Sequence, residues 1–438
     1  MRFTRRLPGL CLASLVASVA GLGAMLGSAS CSSDGEGFVA DDAAAPMTDA
    51  DADLEPVGDA GADVTADADA GPTGPVVAPR AVECTSPPCA KSLVRTLTED
   101  DRGEGYCVLL DDKTVACWGS NSTGQLGRGD GGVISSARAE RVPGLTSVES
   151  LYQTCAVDSS GDVWCWGQGP FLQSTSSSIT NEPSPVKLPI PKARRVSYTK
   201  ASGCGIFDDG VRCWGGRAPY TPTPAELPAG AAAPRDIATS NASFVILDDG
   251  SALSWGANPP IGRVSSLPNN PHPGLLFAAS VQSVDTIFDN ACAVVGNTGY
   301  CWGAPGDLSP DGDINVRALP QPVVTPEPIV QIATTRSHKD GSVVELWRWC
   351  AVGVSGAVHC WGNNANGQAG DGTLDFAAEP VEVKGLPAPA VEVKIMPHSS
   401  CALLVTGKVF CWGSNYYGQI GNGRSKGEAR VPEEVALP

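Results

Sequence analysis

Seven Trp-Gly dipeptides, at Trp118, Trp166, Trp214, Trp255, Trp302, Trp361 and Trp412, divide most of this 438-residue chain into units of 41 to 59 residues. The mean interval of 49 residues is the period of a propeller or solenoid array, where one unit cannot bury its apolar face without neighbours. Seven units of that length need about 343 residues, and residues 91–438 supply 348. The repeat therefore fills the domain.

Each unit has the same local pattern, clearest in Cys155-Ala-Val-Asp-Ser-Ser-Gly-Asp-Val-Trp-Cys165-Trp166-Gly167. A short apolar run, a turn holding Asp and Gly, and a second β-rich run ending in Cys-Trp-Gly predict a β-hairpin. Most units carry two further extended runs upstream, such as Pro380–Leu386 and Ala390–Ile395 before Cys401. Four short strands per unit without helical periodicity predict an all-β fold, a seven-bladed β-propeller of four-stranded antiparallel blades.

The cysteines follow the hairpins. Cys107/Cys117, Cys155/Cys165, Cys350/Cys360 and Cys401/Cys411 are ten apart, and Cys204/Cys213 and Cys292/Cys301 nine apart. Either spacing puts the pair opposite one another across the hairpin, with Cα atoms roughly 4.5–5.5 Å apart at a non-hydrogen-bonded position, within disulfide reach. In the fourth unit both positions change together, to Phe244 and Ser254, as a bonded pair would. Zinc fits poorly, because no CxxC occurs and His272, His338, His359 and His398 are scattered. Cys84 and Cys89 are expected to join each other ahead of the first blade. Six hairpin staples and this pair indicate an oxidising compartment.

The N-terminus reads as an address. Arg2, Arg5 and Arg6 precede an apolar run from Leu7 to Gly27 and the small residues Ser28, Ala29 and Ser30, the pattern of a secretory signal over residues 1–30. Small residues ending in Cys31 resemble the bacterial lipobox, which implies lipid attachment at Cys31; soluble secretion is the alternative. Residues 31–79 form an Ala/Asp-rich spacer with 12 acidic side chains and no Lys or Arg, too polar to bury its chain and therefore expected to be disordered. At roughly 5–6 Å × √n it reaches on the order of 40 Å. The whole-chain charge of −17 falls to −8 over 80–438. Neither value suits nucleic acid or an anionic membrane surface, so the only expected membrane contact is the lipid.

The segments 401–423, 117–127 and 360–373, with Cys-Trp-Gly-[Ser/Asn]-Asn and Gly-Gln-x-Gly, resemble the repeat of the regulator of chromosome condensation family. The resemblance covers about 91–438 and implies the seven-bladed propeller, with the seven repeat tryptophans packing between blades. Gly-Gln-x-Gly is intact in three copies and degenerate after Trp166, Trp214, Trp255 and Trp302. The last run, Val431–Pro438, matches the start of a repeat, so the resemblance also implies that this C-terminal strand completes the N-terminal blade of domain 80–438 and closes the ring.

No catalytic constellation stands out. Ser174–Ser178 lacks a nucleophile elbow or a partnered His. Asp311-Gly-Asp313-Ile-Asn315 departs from a calcium loop at Val316 and Pro322. Asp208-Asp209 and Asp248-Asp249 read as turn residues. Of the tryptophans outside the dipeptides, Trp164 and Trp349 fall on hairpin strands and Trp347 is the candidate surface anchor. The family's nuclear member stimulates nucleotide exchange on a small GTPase and holds chromatin with a basic tail, roles that the acidic tail, export signal and stapling disulfides exclude here. Exported bacterial propellers that resemble this family bind and inhibit proteins. The expectation is a monomeric, non-catalytic protein-interaction domain without cofactor or metal, tethered to the bacterial cell envelope at the outer membrane or cell surface, its partner a protein of unknown identity. The alternative is a glycan-binding module or hydrolase with a site at the central funnel.

Overall fold

In the computed structural model, the structure describes residues 76–96, 103–129, 135–172, 179–215, 221–303, 318–335, 338–340, 343–345 and 348–438. The signal segment, Cys31 and the spacer as far as residue 75 lie outside the described residues, as do Ser174–Ser178, the Asp311–Val316 segment and Trp347.

The chain forms a seven-bladed β-propeller of four-stranded antiparallel blades. Blade one consists of Ala90–Arg95, Gly105–Leu110, Val115–Ser120 and Ser135–Arg141 in that spatial order. Blades two to seven follow at residues 148–187, 193–224, 234–277, 281–323, 329–382 and 390–434. Blade six also carries a two-stranded hairpin, His338–Asp340 with Val343–Glu345, between its first two strands.

Because blades stack face to face, the two middle strands are covered on both sides. Every residue of Gly105–Leu110 and Val115–Ser120 is buried, which is why the hairpin runs read as nearly continuous apolar stretches rather than alternating ones. The core is a series of inter-blade layers: Leu93 and Trp118 of blade one pack with Leu403, Ile420 and Val435 of blade seven, and Val352 of blade six packs with Trp412.

The phase of the repeat differs from the sequence expectation. Glu428–Glu434 pairs with Val409–Ser414 of its own blade, through Cys411↔Glu433 and Gly413↔Ala429. Blade one is complete without it, so no blade mixes the two termini and the C-terminal strand does not close the ring. Every repeat contains four extended runs, and a cyclic pattern does not say which run comes first. The Trp-Gly strand is third in each blade, and the run that follows is the fourth strand of the same sheet.

The ring is instead spanned by an irregular N-terminal strap. Val77 N–H donates to Asn297 Oδ1 (2.7 Å), and its carbonyl accepts from Gln282 Nε2 and Asn297 Nδ2, all in blade five. Arg80 reaches Val354 O in blade six. Glu83 N–H donates to Val405 O and Ala90 N–H to Gly407 O in blade seven, and Cys89 O accepts from Asp111 N–H in blade one. These sites are hairpin turns between second and third strands, such as 296–297, 354–357 and 405–408. They define a turn face. The opposite loop face carries the connections from third to fourth strands, including 363–376 and 415–427.

Candidate functional site

The Trp-Gly and Gly-Gln-x-Gly motifs meet across blade boundaries. The indole N–H of Trp118 donates to Gln419 O of blade seven (2.9 Å), that of Trp166 to Gln125 O of blade one (2.9 Å), and that of Trp412 to Gln368 O of blade six (2.8 Å). Each loop is folded on itself by its own side chains. Asn121, Asn364 and Asn415 accept from the amide five residues on, and Gln125, Gln368 and Gln419 accept from the amide two residues back. The second glycine of the motif leaves room for the indole: a Cβ on Gly421 would lie 2.9 Å from Trp118, and one on Gly370 2.7 Å from Trp412. The glycine after each tryptophan has φ between +74° and +145°. In blade one it sits at a register shift, where a Cβ would meet Glu104 O at 2.6 Å.

The first strands of the blades line a central channel. Arg95 of blade one crosses it. Its guanidinium pairs with Asp285 of blade five (3.1 Å) and donates to Thr286 O (2.8 Å) and Thr334 O of blade six (3.1 Å). Asp285 also accepts from Thr334 N–H (2.9 Å). This bolt separates a cavity of about 300 Å3 from one of about 100 Å3. The larger cavity holds two more charged groupings. Arg195 donates to the Tyr152 hydroxyl, covers its ring at 5.7 Å and lies near Asp236, while Lys394 pairs with Glu392 at 2.9 Å. Burial opposes the charge on Lys394, but the Glu392 and Asp285 carboxylates outweigh it and raise its pKa. Burial likewise raises the Tyr152 phenol, against the pull of Arg195.

A second buried polar cluster lies where blades six, seven and one meet. Glu104, wholly buried, accepts from His398 N–H (2.7 Å) and Ser399 Oγ (2.6 Å) and contacts His398 Nδ1 at 2.9 Å. The Tyr106 hydroxyl lies 3.0 Å from Ser399 Oγ, and burial raises its pKa far above the ordinary value. Arg348 donates to Gln368 O (2.7 Å), Ser399 O (2.9 Å), Met396 O (2.5 Å) and Ser400 Oγ. Burial pushes its pKa down to about 10, with Tyr106 and Glu104 pulling the other way, so it stays cationic at neutral pH. The cluster ties the last blade to the first.

The family model described as "Regulator of chromosome condensation (RCC1) repeat" matches residues 398–419, which hold Trp412 and the loop ending in Gln419. The chain carries RCC1-like repeats. It is 24% identical over 387 residues to the ultraviolet-B receptor UVR8 of Arabidopsis thaliana, covering 82% of this chain and 72% of that protein. It is also 24% identical over 350 residues to the X-linked retinitis pigmentosa GTPase regulator homolog of Caenorhabditis elegans, covering 73% of this chain but 23% of that one. Among solved structures it is similar to yeast RCC1 (Prp20) bound to Kap60, with a TM-score of 0.61 at 16% identity over 81% of this chain and 87% of that one. Human WBSCR16 gives a TM-score of 0.60 at 20% identity over 74% and 94%. These likenesses concern the fold.

Within the RCC1-like blades the structure joins Cys107–Cys117, Cys155–Cys165, Cys204–Cys213, Cys292–Cys301, Cys350–Cys360 and Cys401–Cys411, with Cα separations of 4.0–4.1 Å. That is tighter than the spacing expected from sequence. Cys84–Cys89 spans 5.8 Å within the strap. In blade four Phe244 faces Ser254 at the equivalent register. Phe244 packs edge-on against Trp302 (5.7 Å), and Ser254 Oγ donates to Ile261 O (2.7 Å). Trp118, Trp166, Trp214 and Trp412 are fully buried, Trp302 and Trp255 are 4% and 8% exposed, and Trp361 is half-buried and stacked on Trp349. Trp164 donates to Asp158 (2.9 Å). Among the described residues no group of three or more His, Cys, Asp or Glu is placed to hold a metal.

Sequence reasoning missed Arg95, Asp285, Glu104 and Arg348. They come from different repeats and no motif contains them. The available signal was single-repeat chemistry at Arg348, which stands two residues before the first hairpin cysteine where the sister repeats carry the uncharged Gly105, Gln153, Ser202, Ala242, Asn290 and Ser399.

Proposed function

We propose that this chain is an exported, non-catalytic protein-interaction propeller that presents its loop face to a protein partner. The observation that carries the reading is the asymmetry of the two faces. The turn face has short turns and is crossed by the N-terminal strap. The loop face has the long connections, where Phe376 and Tyr416 are 56% and 66% exposed. Exposed aromatics on long loops of a rigid ring are the common anchors of protein recognition. The yeast RCC1 structure, solved bound to Kap60, gives a protein-bound precedent for a ring of this fold.

The compartment follows from the chemistry of the chain. Seven disulfides suit an oxidising extracellular environment. On this reading residues 1–30 direct export, Cys31 takes lipid at the bacterial cell envelope, and residues 31–79 form the spacer.

Photo-crosslinking on the full-length chain tests the reading. A photoreactive group at 376 or 416 is expected to capture one protein saturably, and the same group at 112 or 159 on the turn face is not. Capture from the turn face alone overturns the proposal. For the tether, Cys31→Ala should release the processed chain from the membrane fraction, and its retention there refutes lipid anchoring.

A further inference from the structure

The seven disulfides differ in what can reach them. Ten of the twelve hairpin cysteines are at most 3% exposed, and the other two, Cys213 and Cys301, are half-buried, because neighbouring blades cover the middle strands that carry them. Cys84 is exposed, and so are Thr85, Ser86, Pro87 and Pro88 between it and Cys89. A thiolate has to meet a disulfide sulfur directly to exchange with it, so access decides which pair reacts first, and exposed disulfides are the labile and regulatory ones.

The Cys84–Cys89 pair is also asymmetric. Cys89 is 0% exposed, and a Cβ on Gly407 would run into its Sγ, so Cys89 is seated against the hairpin turn of blade seven. Exchange therefore starts at the Cys84 sulfur. One thiolate of a dithiol bonds to Cys84 Sγ as the bond to Cys89 Sγ breaks. The second thiol then closes the reductant's own disulfide and releases Cys84. Two electrons pass from the dithiol to the cystine, and the two protons of the dithiol end on the two cysteine sulfurs.

The bond holds a chain reversal. Glu83 N–H donates to Val405 O (2.7 Å) and Ala90 N–H to Gly407 O (2.9 Å), so both ends of the 84–89 loop grip the same turn of blade seven. On one side Ala90 opens the first strand of blade one and is fixed by pairing with Gly105–Leu110. On the other side residues 76–83 reach blades five and six through hydrogen bonds of Val77 and Arg80, and Val76 and Val77 remain 50% and 45% exposed. Opening the bond leaves Cys89 and blade one in place. It makes the Glu83 contact a loop closure without a covalent link, which costs chain entropy each time it forms.

We propose that Cys84–Cys89 is a redox-released clasp: reduction by a dithiol frees residues 76–83 from the turn face of blades five, six and seven, while the six hairpin staples and the ring stay intact. Release uncovers the Asn297 side chain and the Val354 and Val405 carbonyls. The clasp lies on the turn face and operates whether or not a protein docks on the loop face.

Graded dithiothreitol on the full-length protein tests it, with quenching by N-ethylmaleimide, mass-spectrometric mapping of the alkylated cysteines and amide hydrogen exchange on the same samples. Cys84 and Cys89 should be alkylated about tenfold sooner than any hairpin cysteine. At that point exchange at the Val77 and Glu83 amides should rise about tenfold while Val108, Val157 and Val352 stay protected. A double variant, Cys84→Ser with Cys89→Ser, should show the raised strap exchange without reductant and no further change with it. Reduction of a hairpin pair as early as the strap pair, strap amides unmoved by reduction, or blade amides that lose protection in step with the strap overturns the proposal.

Discussion

Blades one, six and seven keep Gly-Gln-x-Gly, and blades two to five do not. The three intact copies are neighbours in the ring, and they straddle the junction where the last blade meets the first. There each loop carbonyl receives the indole N–H of the next blade, and Trp118, Trp166 and Trp412 are fully excluded from water. The same junction holds the Glu104–Ser399–Arg348 cluster and most of the strap. In the degenerate stretch the contacts are of a different kind. Phe171 stacks on Tyr198 at 5.7 Å, Phe244 and Phe277 edge onto Trp302, and Trp302 finds Pro260 O in place of a glutamine carbonyl. The motif thus serves the seven–one junction, which no covalent link spans, and the two boundaries flanking it. The boundaries of the degenerate stretch use aromatic packing instead.

The sharpest way to break this comparison is to remove matched tryptophans. Trp118→Ala should cost about 3–5 kcal/mol of unfolding free energy, and Trp361→Ala, half-buried in the parent, less than half of that, both read from urea denaturation. Equal losses would mean that the junction is not special. Next in size is Gly421→Ala. Its φ of +70° and the 2.9 Å approach to Trp118 combine backbone and steric strain, whereas Gly230, at φ +81° with nothing within 4 Å, carries only the first. The excess of Gly421→Ala over Gly230→Ala should be about 1–3 kcal/mol. A smaller effect comes from the strap: Cys84→Ala with Cys89→Ala removes a five-residue closure worth about 2 kcal/mol in the chain-entropy model. Faster amide hydrogen exchange at Val77 and Glu83 than at blade-three amides would locate the loss.

The smallest effect sharpens the comparison by cancelling. Turn aspartates occur in both sets of blades, and their carboxyls lie below the usual 3.8. Asp112 is held down chiefly by the Thr114 hydroxyl and Asp249 by the Ser251 hydroxyl. A lowered native pKa gives stability that is present above the unfolded value and is lost as pH falls through the native one. Acid should therefore erode both sets together below about pH 4. The gap between Trp118→Ala and Trp361→Ala should stay constant from pH 7 to pH 4.

How much of this was legible in the sequence depended on distance along the chain. Hairpins and strand count were readable because period-two runs, Asp-Gly turns and the nine- or ten-residue Cys spacing are local. The paired substitution at Phe244 and Ser254 was readable for the same reason, and the structure places them opposite each other. The blade phase was not readable, since cutting a cyclic pattern at any strand leaves it unchanged. The strap was hidden because it binds largely through backbone groups, which any sequence supplies. The channel was hidden because Arg95, Gln153, Asp236 and Asp285 become neighbours only after the ring forms.

The six hairpin staples each join residues nine or ten apart within one blade, and the seventh stays within the strap. No described disulfide crosses from one blade to the next. Under heat or force the ring can therefore come apart at its seams while the oxidised hairpins persist as small covalent loops. Recovery then requires docking of preformed units, with the local loop closures already in place. Such a protein would forget its circle long before it forgets its hairpins.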